Sequence, residues 1–352
     1  MSTLHENYRN IVVIGASAGG VEAIGQLVRN IPADARMAVF VVQHIPAYSK
    51  SNLDRVIGTY TERRVKKAED GETIEADTIY VARADRHLLL EEGKVIVSKG
   101  PRENRFRPAV DTLFRSAAYA YSSRVIGVIL SGALNDGTSG MWSIKRAGGT
   151  TVVQDPEEAM FPDMPLGVMQ YTEVDHTLPA QEIGALLGKI ARTPIHASES
   201  PAGLTEDKLL SIEIEIAKGR NGLNMGILEQ GTPSPLACPE CHGALTQFNE
   251  GNLLRYRCHT GHAHTAESLL ASIKDNVEKS MWEVMRGMEE SHILLQRMAE
   301  IMSATGKRDT ALAFAEEARI IQQRATEVQR VIESTDLSDF RTAGVPQPPD
   351  RY

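Results

Sequence analysis

Ile11-Val12-Val13-Ile14-Gly15-Ala16-Ser17-Ala18-Gly19-Gly20 is the stretch that decides the fold. Its first four residues are a β-branched apolar run of strand length. After it, Val21, Ile24, Leu27 and Val28 recur at helical spacing. Between the two lies G-x-S-x-G, a strand-to-helix turn that holds a serine hydroxyl at its tip. Glycines on both sides let the backbone bend and let a substrate come close. The helix that follows directs unpaired N–H groups at whatever sits over Ser17. A dinucleotide-binding turn needs glycine where Ser17 stands and an acidic residue at the end of the next strand. That strand, Ala38-Val39-Phe40-Val41-Val42, ends in Gln43-His44, which disfavours the dinucleotide reading. A glycine turn without chemistry stays open on the turn alone.

A chain of 352 residues has room for about two domains. The formal net charge is −8, so nothing suggests nucleic acid as a partner. Residues 196–352 carry 16 Lys+Arg against 23 Asp+Glu and hold nearly all of that excess. Three cysteines are too few for a disulfide scaffold and fit a reducing compartment. No apolar run is long enough to span a bilayer, and Met1–Asn7 lacks a signal pattern. The expectation is a soluble cytoplasmic protein without membrane insertion.

Residues 1–195 alternate strand and helix patterns. A helix is predicted from Ser51 to about Tyr60, a strand at Thr78–Ala82, and a hairpin at His87–Val97 turning at Glu92-Gly93. Asp111 is read as the N-cap of a helix to about Tyr121. Val125–Leu130 is a nearly continuous apolar run, as in a central parallel strand. The alternation predicts an α/β domain, a mostly parallel doubly wound (Rossmann-like) sheet with helices on both faces.

In such sheets ligands bind beyond the carboxyl ends of the strands. Ser17, His44 and Asp136 each follow a strand there. They are the three chemical types of an acyl-transfer triad: a weak nucleophile, a base to take its proton, and a carboxylate to orient the base. A lone histidine at a strand end is usually structural; three such groups on one sheet are less easily dismissed. Asp111, Asp155 and Asp163 are rival acids. An α/β-hydrolase order would need His176 as base after Asp136, with several strands before the serine, and is disfavoured.

Five motifs now occur in order: Ile14–Gly20, Val42-Gln43-His44-Ile45-Pro46, Phe106-Arg107-Pro108-Ala109-Val110-Asp111, Leu130–Gly137, and Gln154-Asp155 through Met164-Pro165. Over roughly residues 8–192 the chain resembles the catalytic domain of the chemotaxis protein-glutamate methylesterase family, CheB. The resemblance implies Ser17 as nucleophile, His44 as general base and acid, and Asp136 as the residue orienting His44. It implies hydrolysis of γ-glutamyl methyl esters on methylated chemoreceptors, glutamine deamidation as a side activity, and no cofactor for catalysis. The oxyanion would be held by the backbone N–H groups of Ala18 and Ala133. Position 133 is usually methionine in the family, a change that leaves a backbone donor intact. The familiar enzyme carries a receiver domain ahead of its catalytic domain. Here the catalytic strand begins near residue 10, so a stand-alone form is expected, with a separate response regulator as a possible second partner.

Residues 196–233 read as a linker, with Leu209–Ile216 as an edge strand or an amphipathic segment. Residues 234–265 form a zinc-binding knuckle. Cys238-x2-Cys241, a spacer of ribbon length, then Cys258-x3-His262 suits a closed Zn²⁺ site. His262 is the first choice for fourth ligand, then His259 and His264. A hairpin turning at Glu250-Gly251 would join the two halves. Residues 266–335 read as an antiparallel helical hairpin with Gly306 as a C-cap. Its apolar stripes serve as mutual core or as an oligomer contact. Residues 336–352 read as a disordered tail. Two functions follow: a serine esterase with a zinc-helical regulatory extension, or a signalling scaffold that uses that extension for assembly.

Overall fold

The structure, a computed structural model, describes residues 7–195, 204 and 207–334. The expected tail and residues 196–203 and 205–206 of the expected linker lie outside the described residues. In chain order the first elements are β1 (Ile11–Ala16), α1 (Gly20–Arg29), β2 (Ala38–Gln43), α2 (Leu53–Gly58), β3 (Arg64–Lys67) and β4 (Thr78–Val81). Next come β5 (His87–Glu91), β6 (Lys94–Ser98), α3 (Val110–Tyr121), β7 (Val125–Ile129) and α4 (Thr138–Arg146). The series closes with β8 (Thr150–Gln154), α5 (Asp163–Tyr171), β9 (His176–Leu178) and α6 (Ala180–Ala191).

Seven of these strands form one sheet in the order β3-β4-β2-β1-β7-β8-β9, and every neighbouring pair is parallel. β1 is central, and alternate side chains feed two cores. Val12 and Ile14 pack with Ile24 and Leu27 of α1 and Ile183 and Leu187 of α6. Ile11 and Val13 pack with Leu113 and Phe114 of α3 and Met141 and Ile144 of α4. This is the expected doubly wound α/β sheet. The chain leaves β1 toward β2 and returns on the other side at β7. The switch in winding direction therefore lies between β1 and β7, where open sheets bind ligands.

The next stretch differs from expectation. Lys208–Ala217 is a helix, α7, with Asp207 as N-cap accepting from Leu210 N–H, so the segment is neither a linker nor an edge strand, and of the two readings of Leu209–Ile216 the amphipathic one fits. Its acidic residues do not all face water: Glu213 is buried. Four antiparallel strands follow: β10 (Thr232–Ala237), β11 (Ala244–Glu250), β12 (Leu253–Cys258) and β13 (Ala263–Thr265). The β11–β12 hairpin turns at Gly251-Asn252, one residue later than predicted, with Gly251 at φ 58°.

Buried charges join this sheet to α3. Glu103 pairs with Arg115 of α3 and, at 2.8 Å, with Arg257 of β12. Glu213 takes Arg255 at 2.8 Å and Arg257 at 2.9 Å, and Arg255 also pairs with Glu250. Ions out of water are tolerated only when paired and hydrogen-bonded, and here three arginines face three glutamates. The chain divides into two compact units, 1–269 and 270–352, so the knuckle belongs to the same unit as the parallel sheet.

The last elements are α8 (Ala266–Ala304) and α9 (Arg308–Ser334), joined through Gly306 at φ 79°. Within the second unit His292 Nδ1 bonds Ala318 O at 2.9 Å, which sets the two helices antiparallel, as predicted. Ala311, Ala318 and Ala325 are buried along α9, whereas Val277, Val284, Ile293 and Leu294 of α8 are exposed. No helix among the described residues is long and apolar enough to cross a membrane.

Candidate active site

Ser17 follows the last residue of β1. Its N–H donates to Ser131 O at 2.9 Å, and its carbonyl accepts from Gln43 Nε2 at 2.6 Å. Gly19, at φ 72°, is the N-cap of α1. The turn needs glycine there, because a Cβ would meet Ser131 Oγ at 2.7 Å in a left-handed backbone. The segment after β7 passes close to Ser17: a Cβ on Gly132 would lie 2.8 Å from Ser17 Cβ. Ala18 and Ala133 adjoin these two points, and their N–H groups make no hydrogen bond among the described residues.

His44 follows β2, its N–H bonded to Ala16 O at 3.0 Å. Its ring lies on Phe106, centroids 3.6 Å apart. Nε2 bonds Asp136 Oδ2 at 2.7 Å. Nδ1 is buried with no hydrogen-bond partner among the described residues. Ser17 and His44 line one cavity of about 380 Å³ with Phe106, Arg102, Arg105 and Arg107.

Asp136 is buried at the N-terminus of α3. Its Oδ2 also accepts from Val110 N–H at 2.6 Å, and its Oδ1 accepts from Asn104 Nδ2 at 2.9 Å and from Asp111 N–H at 3.2 Å. The first N–H groups of a helix lack intrahelical partners and favour an anion. Burial alone would raise its pKa; the bonds from His44, Asn104 and Val110 outweigh that and hold the carboxyl below its ordinary value.

Asp111 is not the helix cap. Ala109 takes that place, and Asp111 is buried in the first turn. It accepts from Gly140 N–H at 2.7 Å and from Asn104 Nδ2 at 2.8 Å. Burial, and then the nearby Asp136, push it up to about 7. Asp155 stands in the turn after β8 and Asp163 at the start of α5, neither bonded to the His44 ring, which takes Asp136, and His176 lies in the edge strand β9. Asn104 carries no signal in the sequence, because it stands in an irregular turn at φ 49°. Phe106 stood in a recognised motif, but no spacing rule connects it to His44.

A sequence model described as CheB methylesterase matches residues 12–187, half of the chain. The chain belongs to the CheB methylesterase family. A Leptospira interrogans protein with the provisional name protein-glutamate methylesterase/protein-glutamine glutaminase is 39% identical over 181 residues, spanning 51% of this chain and 93% of its own. The protein-glutamate methylesterase/protein-glutamine glutaminase of Thermotoga maritima is 38% identical over 49% of this chain and 52% of its own. The solved catalytic domain of the Thermotoga maritima CheB methylesterase is 36% identical, covering 51% of this chain and 97% of its own, at a TM-score of 0.49. Ser17, His44 and Asp136 all fall inside the CheB match, and the knuckle lies beyond it.

In the knuckle, ligand atoms of Cys238, Cys241, Cys258 and His262 lie within 4.8 Å of one another. The three thiols are unbridged. His262 Nδ1 is 3.8 Å from Cys238 Sγ and 3.7 Å from Cys258 Sγ, and Cys241 and Cys258 Sγ are 3.6 Å apart. A tetrahedral ion bound at ~2.3 Å to sulfur and ~2.0 Å to nitrogen spaces its ligands ~3.5–3.8 Å apart. The group therefore has the size to hold a metal ion. His259 packs over Gly243, and His264 Nε2 stands 3.9 Å from Cys238 Sγ.

Proposed function

We propose that the chain is a serine esterase that hydrolyses γ-methyl esters of glutamyl residues on chemoreceptor-like proteins. The observation that carries this reading is the 2.7 Å His44–Asp136 bond at the cavity that Ser17 also lines, which leaves His44 Nδ1 without a partner among the described residues and able to take a proton. Asp136 holds the proton on Nε2 and stabilises the imidazolium. Ser17 Oγ attacks the ester carbonyl as its proton passes to Nδ1. The N–H groups of Ala18 and Ala133 receive the oxyanion, each such donor contributing on the order of 3 kcal/mol. The intermediate collapses, methanol leaves with the proton from His44, and water hydrolyses the acyl-enzyme by the same path. With ammonia as leaving group the same steps deamidate glutamine, the second activity in the relatives' names.

Arg102, Arg105 and Arg107 at the cavity support an acidic protein segment as substrate. Zn²⁺ suits the three thiolates and one imidazole of the knuckle, as a closed structural site. Three unbridged thiols at such a site support a reducing, cytoplasmic setting. The exposed apolar side chains of α8 support self-association through the hairpin.

Methanol release from methylated chemoreceptor membranes tests the activity, with Ser17→Ala alongside. Release by wild type that the variant lacks is expected. Equal release by a folded Ser17→Ala protein would sink the assignment. For the metal, elemental analysis of protein purified without added metal should find about one zinc per chain, as for a four-ligand site.

A further inference from the structure

The residue that joins Asp136 to Asp111 is itself held from the knuckle. Asn104 Oδ1 accepts from Thr265 N–H at 2.9 Å and from Ser268 Oγ at 3.0 Å. Its backbone N–H donates to Ala263 O at 2.8 Å, and Ala263 N–H donates to Arg102 O at 3.3 Å. β13 thus pairs on one edge with β12 and on the other with the turn at 102–104. That turn closes through reciprocal bonds between Glu103 and Phe106, so it carries both the amide that meets Asp136 and the ring under His44.

The sense of the Asn104 amide matters. Its NH₂ must face two carboxylates, and its oxygen must face away. The Thr265 N–H selects that orientation, since a flipped amide would set NH₂ against N–H and oxygen against Asp136 and Asp111. β13 has three residues, and besides its strand pairing the Thr265 hydroxyl donates to Asn135 Oδ1 at 2.7 Å. Two of the four ligand groups, Cys258 and His262, bracket the β12–β13 turn immediately before it. Small metal sites of this kind derive their folding free energy from the ion.

We propose that metal bound at Cys238, Cys241, Cys258 and His262 holds β13 against Asn104, and so sets the Asp136–His44 pair of the esterase. Asn104 is a positioning residue in this scheme. The inference rests on the esterase and zinc readings above and goes beyond them: metal occupancy sets turnover without touching the substrate.

The full chain would be stripped with a chelator and reloaded with Zn²⁺ alone. Two quantities would be read at each stage: kcat and KM for a methyl ester, and the low-field proton resonance of the His44 Nε2–H···Asp136 bond. Stripping should lower kcat about tenfold or more, the effect typical of lost supporting contacts. KM should hold, the low-field proton should disappear, and Zn²⁺ should restore all three. Zinc-free protein with unchanged kcat and an unchanged proton overturns the coupling. Protein that never takes up zinc overturns the metal reading and the coupling with it, while Ser17-dependent turnover would leave the esterase standing. Should the stripped chain unfold, Asn104→Ser decides at full zinc content. The same loss of kcat and of the proton is expected, and a folded variant that keeps both refutes the proposal.

Discussion

His44 lies flat against Phe106, with ring centroids 3.6 Å apart and planes 9° apart. Stacking leaves the imidazole free to slide but not to tilt, and the Asp136 bond at 2.7 Å then fixes it along the plane. Phe106→Ala should lower kcat by about 10²-fold, the usual cost of a small misplacement of a reacting group. Steady-state kinetics on the folded variant checks this. Turnover within twofold of wild type would show that Asp136 orients the ring alone.

Gly132 is a steric test of the site. A Cβ there would lie 2.1 Å from Met164 Sδ and 2.8 Å from Ser17 Cβ. Gly132→Ala should push the neighbouring peptide away from Ser17 and cost at least the ~10²-fold that follows loss of one oxyanion donor. His44 and Asp136 are untouched, so the low-field proton should survive while kcat falls. Unchanged kcat would remove Ala133 as a candidate donor.

Stability should peak in mild acid. Burial would raise the Glu103 carboxyl, but Arg115 and then Arg257 hold it down to about 2, against 4.5 for a free side chain. Its contribution is present above pH 4.5 and is lost as pH falls toward about 2. Asp111 works the other way. Pushed up from 3.8 to about 7, it contributes stability that is full below pH 3.8 and lost as pH rises through about 7. Urea unfolding from pH 3 to 8 should therefore give a maximum between these limbs, and Asp111→Asn should flatten the upper one. A stability that rises steadily across that range would contradict the Asp111 assignment.

The buried charges should be unforgiving of single deletions. Glu213 accepts from two arginines, and Glu213→Ala leaves both short of a partner away from water. Removing one member of a buried pair typically costs about 3–5 kcal/mol. Thermal unfolding should show a large drop for this variant and none for Glu316→Ala, whose partner Arg319 lies on the exposed face of α9. Equal Tm values for the two would mean that the network is loosely solvated.

What the sequence revealed follows from periodicity and spacing. β1 and β7 are runs of apolar residues buried on both faces, and such runs read as central strands without further context. Cys238, Cys241, Cys258 and His262 could be grouped because the ligand spacing is local. α7 is ambiguous: Leu209 to Ile216 alternates apolar and acidic residues, which suits an edge strand as well as an amphipathic segment. Only the distant Arg255 and Arg257 make a buried Glu213 tolerable in a helix. Asp111 reads as a cap because Asp at a helix start usually is one. Its real environment depends on Asn104 and Gly140, which no short-range rule brings together.

Arg115 lies within the residues shared with the family, whereas Glu213, 3.8 Å from its Nε, comes from beyond them. Arg257 reaches back in the same way to Glu103. A recombination breakpoint near residue 195 would therefore part charges that neutralise each other. An exchange of the esterase half at that point calls for a donor that itself carries Glu103 and Arg115.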